Sequence, residues 1–105
     1  QKFVAPEDLQ VRMKKVQGLA NELKEKKNDS KQITALGTSI TETVYDIFKN
    51  CKLEPEADAA VHPSLAAILN GAAELKKGKY EAGQAKIQEG LSGYEKSFIV
   101  ESAKK

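Results

Sequence analysis

Apolar residues recur at spacings of three and four along most of this chain, with polar and charged residues between them. Leu9, Met13, Val16, Leu19 and Leu23 form the first such series. That spacing lays one apolar stripe along a helix. Pro6-Glu7-Asp8 opens it: proline suits the first helical position, and acids suit the positive end of the helix dipole. Lys24-Glu25-Lys26-Lys27 suits its last turn. Asn28-Asp29-Ser30 breaks the pattern and supplies caps for a second helix. The stripe of that helix is Ile33, Leu36, Ile40, Val44, Ile47 and Phe48. Its β-branched residues favour strand, but a 3–4 spacing over about 18 residues outweighs so weak a propensity.

The segment from about Asn50 to His62 is the least regular, with a short helical turn expected over Glu54 to Ala60. Pro63 is read as the start of the third helix, with Leu65, Ile68, Leu69, Ala72 and Leu75 facing inward. Lys76 and Lys77 end it, and Gly78 is placed to terminate it in the left-handed conformation. So tight a turn sends the next helix back antiparallel. The last segment runs from Lys79 to about Ser102, with Tyr80, Ile87, Leu91, Tyr94 and Phe98 on its stripe. Gly83, Gly90 and Gly93 weaken it by up to about 1 kcal/mol each relative to alanine, and Ser92-Gly93 is where it would split. The pattern predicts an all-α, antiparallel bundle of four helices, or five with that split, and no strand.

Composition agrees. Residues 1–105 fit one domain, able to bury a core without disulfides or metals. The termini at Gln1 and Lys105 read as cut points in a longer chain. Hydrophobic residues are 40% and charged residues 30%, with no Trp, so the core is mostly aliphatic. The net charge is +2, from 17 basic and 15 acidic residues, and Arg12 is the only arginine. Lysine and glutamate intermingle along the chain, which reads as solvated surface and argues against DNA binding. The aromatic-plus-basic signature of single-strand RNA binding is missing too. No apolar run reaches the roughly 18–20 residues of a membrane span. Cys51 has no second cysteine to pair with, which sits best in a reducing compartment.

Candidate chemistry is sparse. His62 is the only histidine and has neither a nucleophile nor an orienting group in the pattern around it. A di-metal bundle needs a Glu-x-x-His pair on each of two helices, which one histidine cannot supply. No phosphate-binding glycine loop is present. No catalytic, cofactor-binding or metal residue is therefore expected, and the chain reads as a non-enzyme that works by binding another protein. The candidate partner-binding residues are Lys76, Lys77, Lys79 and Lys86, around one helix hairpin, against an acidic partner segment. Failing those, the interface is expected on the aromatic segment from Tyr94 to Ile99.

Two families are similar in pattern. Pro6-Glu7-Asp8-Leu9, Val44-Tyr45-Asp46-Ile47-Phe48, Leu53-Glu54-Pro55 and Lys79-Tyr80-Glu81-Ala82-Gly83, with Leu91, Tyr94, Phe98-Ile99 and Lys104-Lys105, resemble one of them. It is the helical C-terminal domain shared by the large outer-cage subunit of the COPII vesicle coat and the steroid receptor RNA activator protein. This resemblance implies an interaction module of a cytosolic scaffold, at endoplasmic-reticulum exit sites, with other coat subunits as partners. This chain carries about seven extra residues around Asp58 to Ser64 and lacks that family's tryptophans. Asp8-Leu9 ahead of Met13, with Gly78-Lys79, Glu81-Ala82 and Gln84-Ala85, resembles the periplasmic b-type haem cytochromes of four-helix-bundle fold. That family's histidine ligand follows a tyrosine near the C-terminus; here Glu95 follows Tyr94. The second resemblance thus implies a periplasmic bundle that has lost haem ligation.

Overall fold

The computed structural model describes residues 2–99. It is an all-α bundle of four helices: α1 (Glu7–Glu25), α2 (Ser30–Asn50), α3 (Pro55–Lys76) and α4 (Tyr80–Ser97). Arg12 meets Asp46, Phe48 meets His62, and Gly71 meets Gly83. Each pairing matches a residue near one end of a helix with a residue near the opposite end of the next, so the helices run up, down, up and down.

The expected stripes line the core. Leu9, Met13, Val16 and Leu23 are buried on α1, and Ile33, Leu36, Ile40, Val44 and Ile47 on α2. Leu65, Ile68, Ala72 and Leu75 of α3 meet Ile87, Leu91 and Tyr94 of α4 in the same core. Leu19, Leu69 and Tyr80 are only partly buried at its margin. Phe48 departs from expectation: it lies at the edge of its stripe and remains 44% exposed. The threonines of α2 fit a helix because their hydroxyls bond back to the preceding turn, as Thr43 Oγ1 does to the Ser39 carbonyl at 2.8 Å.

The ends of the helices follow local chemistry. Pro6 sits one residue ahead of α1, and its carbonyl accepts the Gln10 N–H at 2.9 Å. The Asp29 carboxylate accepts the Gln32 N–H at 3.2 Å and caps α2. Gly78, at φ 81°, closes α3 as expected. Its N–H bonds to the Leu75 carbonyl and that of Lys79 to the Glu74 carbonyl, both at 2.9 Å, the Schellman pattern.

Three expectations need correction. The third helix starts at Pro55 rather than Pro63, and Asp58 N–H already bonds to the Glu54 carbonyl at 2.8 Å. Pro63 lies inside the helix and removes one i→i−4 bond. The cost is borne on an exposed face, while Val61, Ser64 and Leu65 are buried on the other. The last helix is not split at Ser92-Gly93 and stops at Ser97, so there are four helices among the described residues; Ser102 lies outside them. Finally, two short strands are present, β1 (Phe3–Val4) and β2 (Phe98–Ile99). They pair in parallel with Phe3 opposite Phe98 and Val4 opposite Ile99.

Candidate functional site

The four candidate lysines all lie on the α3–α4 hairpin. Lys76, Lys77 and Lys79 are exposed around the Gly78 turn. Lys86 is partly withdrawn from that group, its Nζ 3.5 Å from the Glu74 carboxylate. The turn therefore presents three lysines to solvent, held by the Schellman bonds and without side-chain partners among the described residues.

A more enclosed feature lies at the other end of α4. The seam between α1 and α4 is the loosest in the bundle, and a groove of about 460 Å³ runs along it. Met13, Leu91, Tyr94 and Phe98 form its apolar walls, Lys2, Lys14, Gln10, Gln17 and Glu95 its polar rim, and Ile99 its end. The aromatic segment from Tyr94 to Ile99 thus supplies one whole wall. The α1 side escaped the sequence reading, because Gln10, Lys14 and Gln17 occupy ordinary solvent positions of an amphipathic helix and carry no signal of their own.

Tyr94 is the unusual member of that wall. It is 4% exposed, and its hydroxyl has no hydrogen-bond partner among the described residues. Burial pushes the phenol pKa up to about 12, so the group stays a neutral O–H donor at ordinary pH. Buried tyrosine hydroxyls normally find partners, and leaving one unsatisfied costs about 1–3 kcal/mol. The ring stacks on Phe98 at 5.3 Å between centroids, which fixes its position in the wall. Gln84 Oε1, also on α4, is the other buried side-chain atom without a partner among the described residues.

No protein-family model matches this chain, and no curated protein or solved structure matches it significantly. The site must therefore be read from its own geometry. Met13 and Glu95 line the same groove. His62 does not: it lies in the third turn of α3 rather than at a helix start, with Nε2 3.6 Å from Asp58 and its ring edge-on to Phe48. Tyr45, Phe48 and His62 form an exposed aromatic group on α2 and α3 that the sequence reading did not bring together.

Cys51 caps α2 as a half-buried residue, and Arg12 Nη1 approaches its sulfur at 3.9 Å. Arg12 Nε donates to Asp46 at 2.7 Å. Burial raises the thiol pKa, and the arginine only partly offsets it. That is the reverse of what a reactive thiolate needs. Among the described residues no group of three His, Cys, Asp or Glu side chains could hold a metal, and no helix is long and apolar enough to cross a membrane.

Proposed function

We propose that this chain is a non-catalytic binding module and that its α1–α4 groove takes a small amphipathic anion. The carrying observation is the unpartnered Tyr94 hydroxyl, buried in the wall of a groove whose volume falls within the range of small-ligand sites. A neutral phenol donates readily to an anionic acceptor. Lys2 and Lys14 on the rim outnumber Glu95 and favour a negative end group. The slot suits a slender or flat body better than a partner helix. Met13, Leu91, Tyr94 and Phe98 are already buried in the bundle, so a docked helix would cover little further apolar area.

The cytochrome-like reading of the sequence supports this assignment: the Met13 region and Glu95, which stands where that family has histidine, border one groove. A bundle that has lost haem ligation would retain such a slot. The test is a titration of isotope-labelled protein with 1-anilinonaphthalene-8-sulfonate, followed by amide shifts. Saturable shifts confined to residues around Met13, Leu91 and Tyr94 are expected. Lys14→Glu should weaken binding about fivefold, and the bulky Gln17→Trp should block it. Shifts scattered over all four helices, or none, would overturn the assignment.

A second reading has a separate observation behind it. Lys76, Lys77 and Lys79 project together from the Gly78 turn, which suits an acidic segment of a protein partner. This is the scaffold module, and its placement in a cytosolic vesicle coat rests on the sequence resemblance alone. Association driven by those charges would weaken steeply with salt. Reversing Lys76, Lys79 and Lys86 to Glu should abolish association with an acidic peptide while leaving dye binding in the groove unchanged. Equal affinity of both proteins for the peptide, at low and high salt, would remove this reading.

A further inference from the structure

We infer that an acidic partner segment is held by two turns at once, the α3–α4 turn and the α1–α2 turn, which together form one lysine-lined end of the bundle. The inference rests on the second reading above and supplies the half of the surface that reading lacks. Because the helices run up, down, up and down, α1 ends and α2 begins where α3 ends and α4 begins. Lys24, Lys27 and Lys31 are exposed around the first turn, as Lys76, Lys77 and Lys79 are around the second. Two relationships tie the turns together in space. A Cβ on Gly37 of α2 would stand 3.0 Å from Lys76 Cγ, so the stem of Lys76 lies against α2. Lys31 is nearer the start of α2 than Gly37, by about 9 Å along a helix that rises about 1.5 Å per residue. On the other side, Gln17 lines the α1–α4 groove, and Lys24 lies two turns further along the same face of α1, toward the start of α4.

The acids at this end do not cancel the lysines. Asp29 accepts the Gln32 N–H of its own helix, and Glu74 is met by Lys86 Nζ at 3.5 Å. Glu22, Glu25 and Glu81 then stand against the six exposed lysines and the half-buried Lys26. The opposite end has the reverse balance: Glu7, Asp8, Glu54, Glu56, Asp58 and Glu95 outnumber Lys2, Lys49, Lys52 and Lys96. Charge is thus divided lengthwise, which draws an acidic partner to one end and turns it away from the other. An extended segment advances about 3.3 Å per residue and crosses the shorter dimensions of the bundle, 29 and 22 Å, in about seven to nine residues. Such a chain can follow the lysines past Glu22, Glu25 and Glu81, whereas a flat anionic membrane would meet those carboxylates too. Nucleic acid fits less well, since Arg12 is paired with Asp46 near the far end and Tyr80, the aromatic beside Lys79, is half-buried.

The experiment measures binding of an alternating Asp-Glu peptide of twelve residues at low salt, by anisotropy and by amide shifts. Three triple reversals to Glu are compared, at Lys24, Lys27 and Lys31, at Lys76, Lys77 and Lys79, and, as a control of equal net charge, at Lys49, Lys52 and Lys96 of the opposite end. Either turn's reversal should weaken binding at least tenfold and the control less than twofold, with shifts on both turns in the unaltered protein. The same sets changed to Gln serve if a reversal lowers helicity. A Lys24, Lys27 and Lys31 reversal no worse than the control, with shifts confined to the Gly78 turn, overturns the two-turn surface and leaves the hairpin reading standing. Equal losses in all three variants mean diffuse attraction and overturn both. A peptide that does not bind, with or without binding to phosphatidylserine vesicles, also overturns both.

Discussion

Gly71 and Gly83 face each other so closely that neither tolerates a side chain. A Cβ on Gly71 would stand 2.7 Å from the Gly83 carbonyl oxygen, and one on Gly83 would stand 2.8 Å from the Gly71 carbonyl oxygen. Gly90 repeats the arrangement lower on α4, where a Cβ would stand 2.5 Å from the Ser64 carbonyl oxygen. The glycines thus let α3 and α4 meet backbone to backbone.

Gly83→Ala should therefore destabilise the protein by about 1–3 kcal/mol, although alanine is the better helix former by about 1 kcal/mol. The Gly71 carbonyl oxygen is backbone and cannot step aside, and the Leu75 side chain, nearer still at 2.5 Å, is itself fully buried. Gly18→Ala is the contrasting case, since a Cβ there meets nothing within 4 Å. It should stabilise by up to about 1 kcal/mol. Urea melts of the two variants should move in opposite directions, and movement in the same direction would contradict the close approach.

The core makes a simpler demand. Ile40 is fully buried and Leu36 nearly so, both in the middle of α2. Truncating either to alanine should cost about 2–5 kcal/mol. A loss below about 0.5 kcal/mol in a urea melt would show that α2 presents a different face to the bundle.

Asp46 should make stability depend on pH. Its carboxyl pKa is held below the usual value by the hydrogen bond from Arg12, with help from Asn50. A depressed folded pKa contributes stability above the unfolded value of about 3.9. That contribution is lost as pH falls through the folded pKa. Asp46→Asn should therefore lower the urea midpoint at pH 7, and the gap from the unaltered protein should close on the way to pH 2. A gap that persists at pH 2 would assign the effect to something other than this ionisation.

Haem should not bind with His/Met ligation. Met13 lines the α1–α4 groove, whereas His62 sits on α3 beside Asp58 and Phe48. A haemin titration should give no sharp Soret band and no split bands on reduction. A stoichiometric low-spin complex would show that another residue completes the axial pair.

The Cys51 thiol should react slowly. Its pKa lies above the ordinary thiol range, so little thiolate exists near neutral pH. Ellman's reagent at pH 7 should label it at least several-fold more slowly than an unstructured cysteine peptide, and the rate should keep rising beyond pH 9. Cys51→Ser should leave groove binding intact. A rate that levels off near pH 8 would mean that Arg12 governs the thiol.

Much of this fold was legible because the stripes are long. Leu9 to Leu23 and Ile33 to Ile47 each span several turns, enough for periodicity to overrule the β-branched residues of α2. Gly78 was legible because a single local conformation explains it. Pro63 was misread because a proline marks a helix start only where its lost hydrogen bond cannot be tolerated, and tolerance depends on which face meets solvent. The glycines of α4 were read as weak points because their benefit resides on α3, 12 positions back for Gly83 and 26 for Gly90, and is reached only through the turn. β1 and β2 are too short for any pattern to announce them. Half of the groove was in view, since Tyr94 to Ile99 is visibly aromatic; the other half is made of polar α1 residues that become a site only by facing α4.

The parallel sense of the β1–β2 pair also sets how the bundle resists force. Tension on its two ends pulls β1 backward along its own axis and β2 forward along the same line. The bonds between them are then loaded in shear and must fail together rather than peel one after another. An antiparallel pair closing the same gap would unzip. The smallest element of the fold therefore stands first in line against stretching, and the four helices bear load only after it has given way.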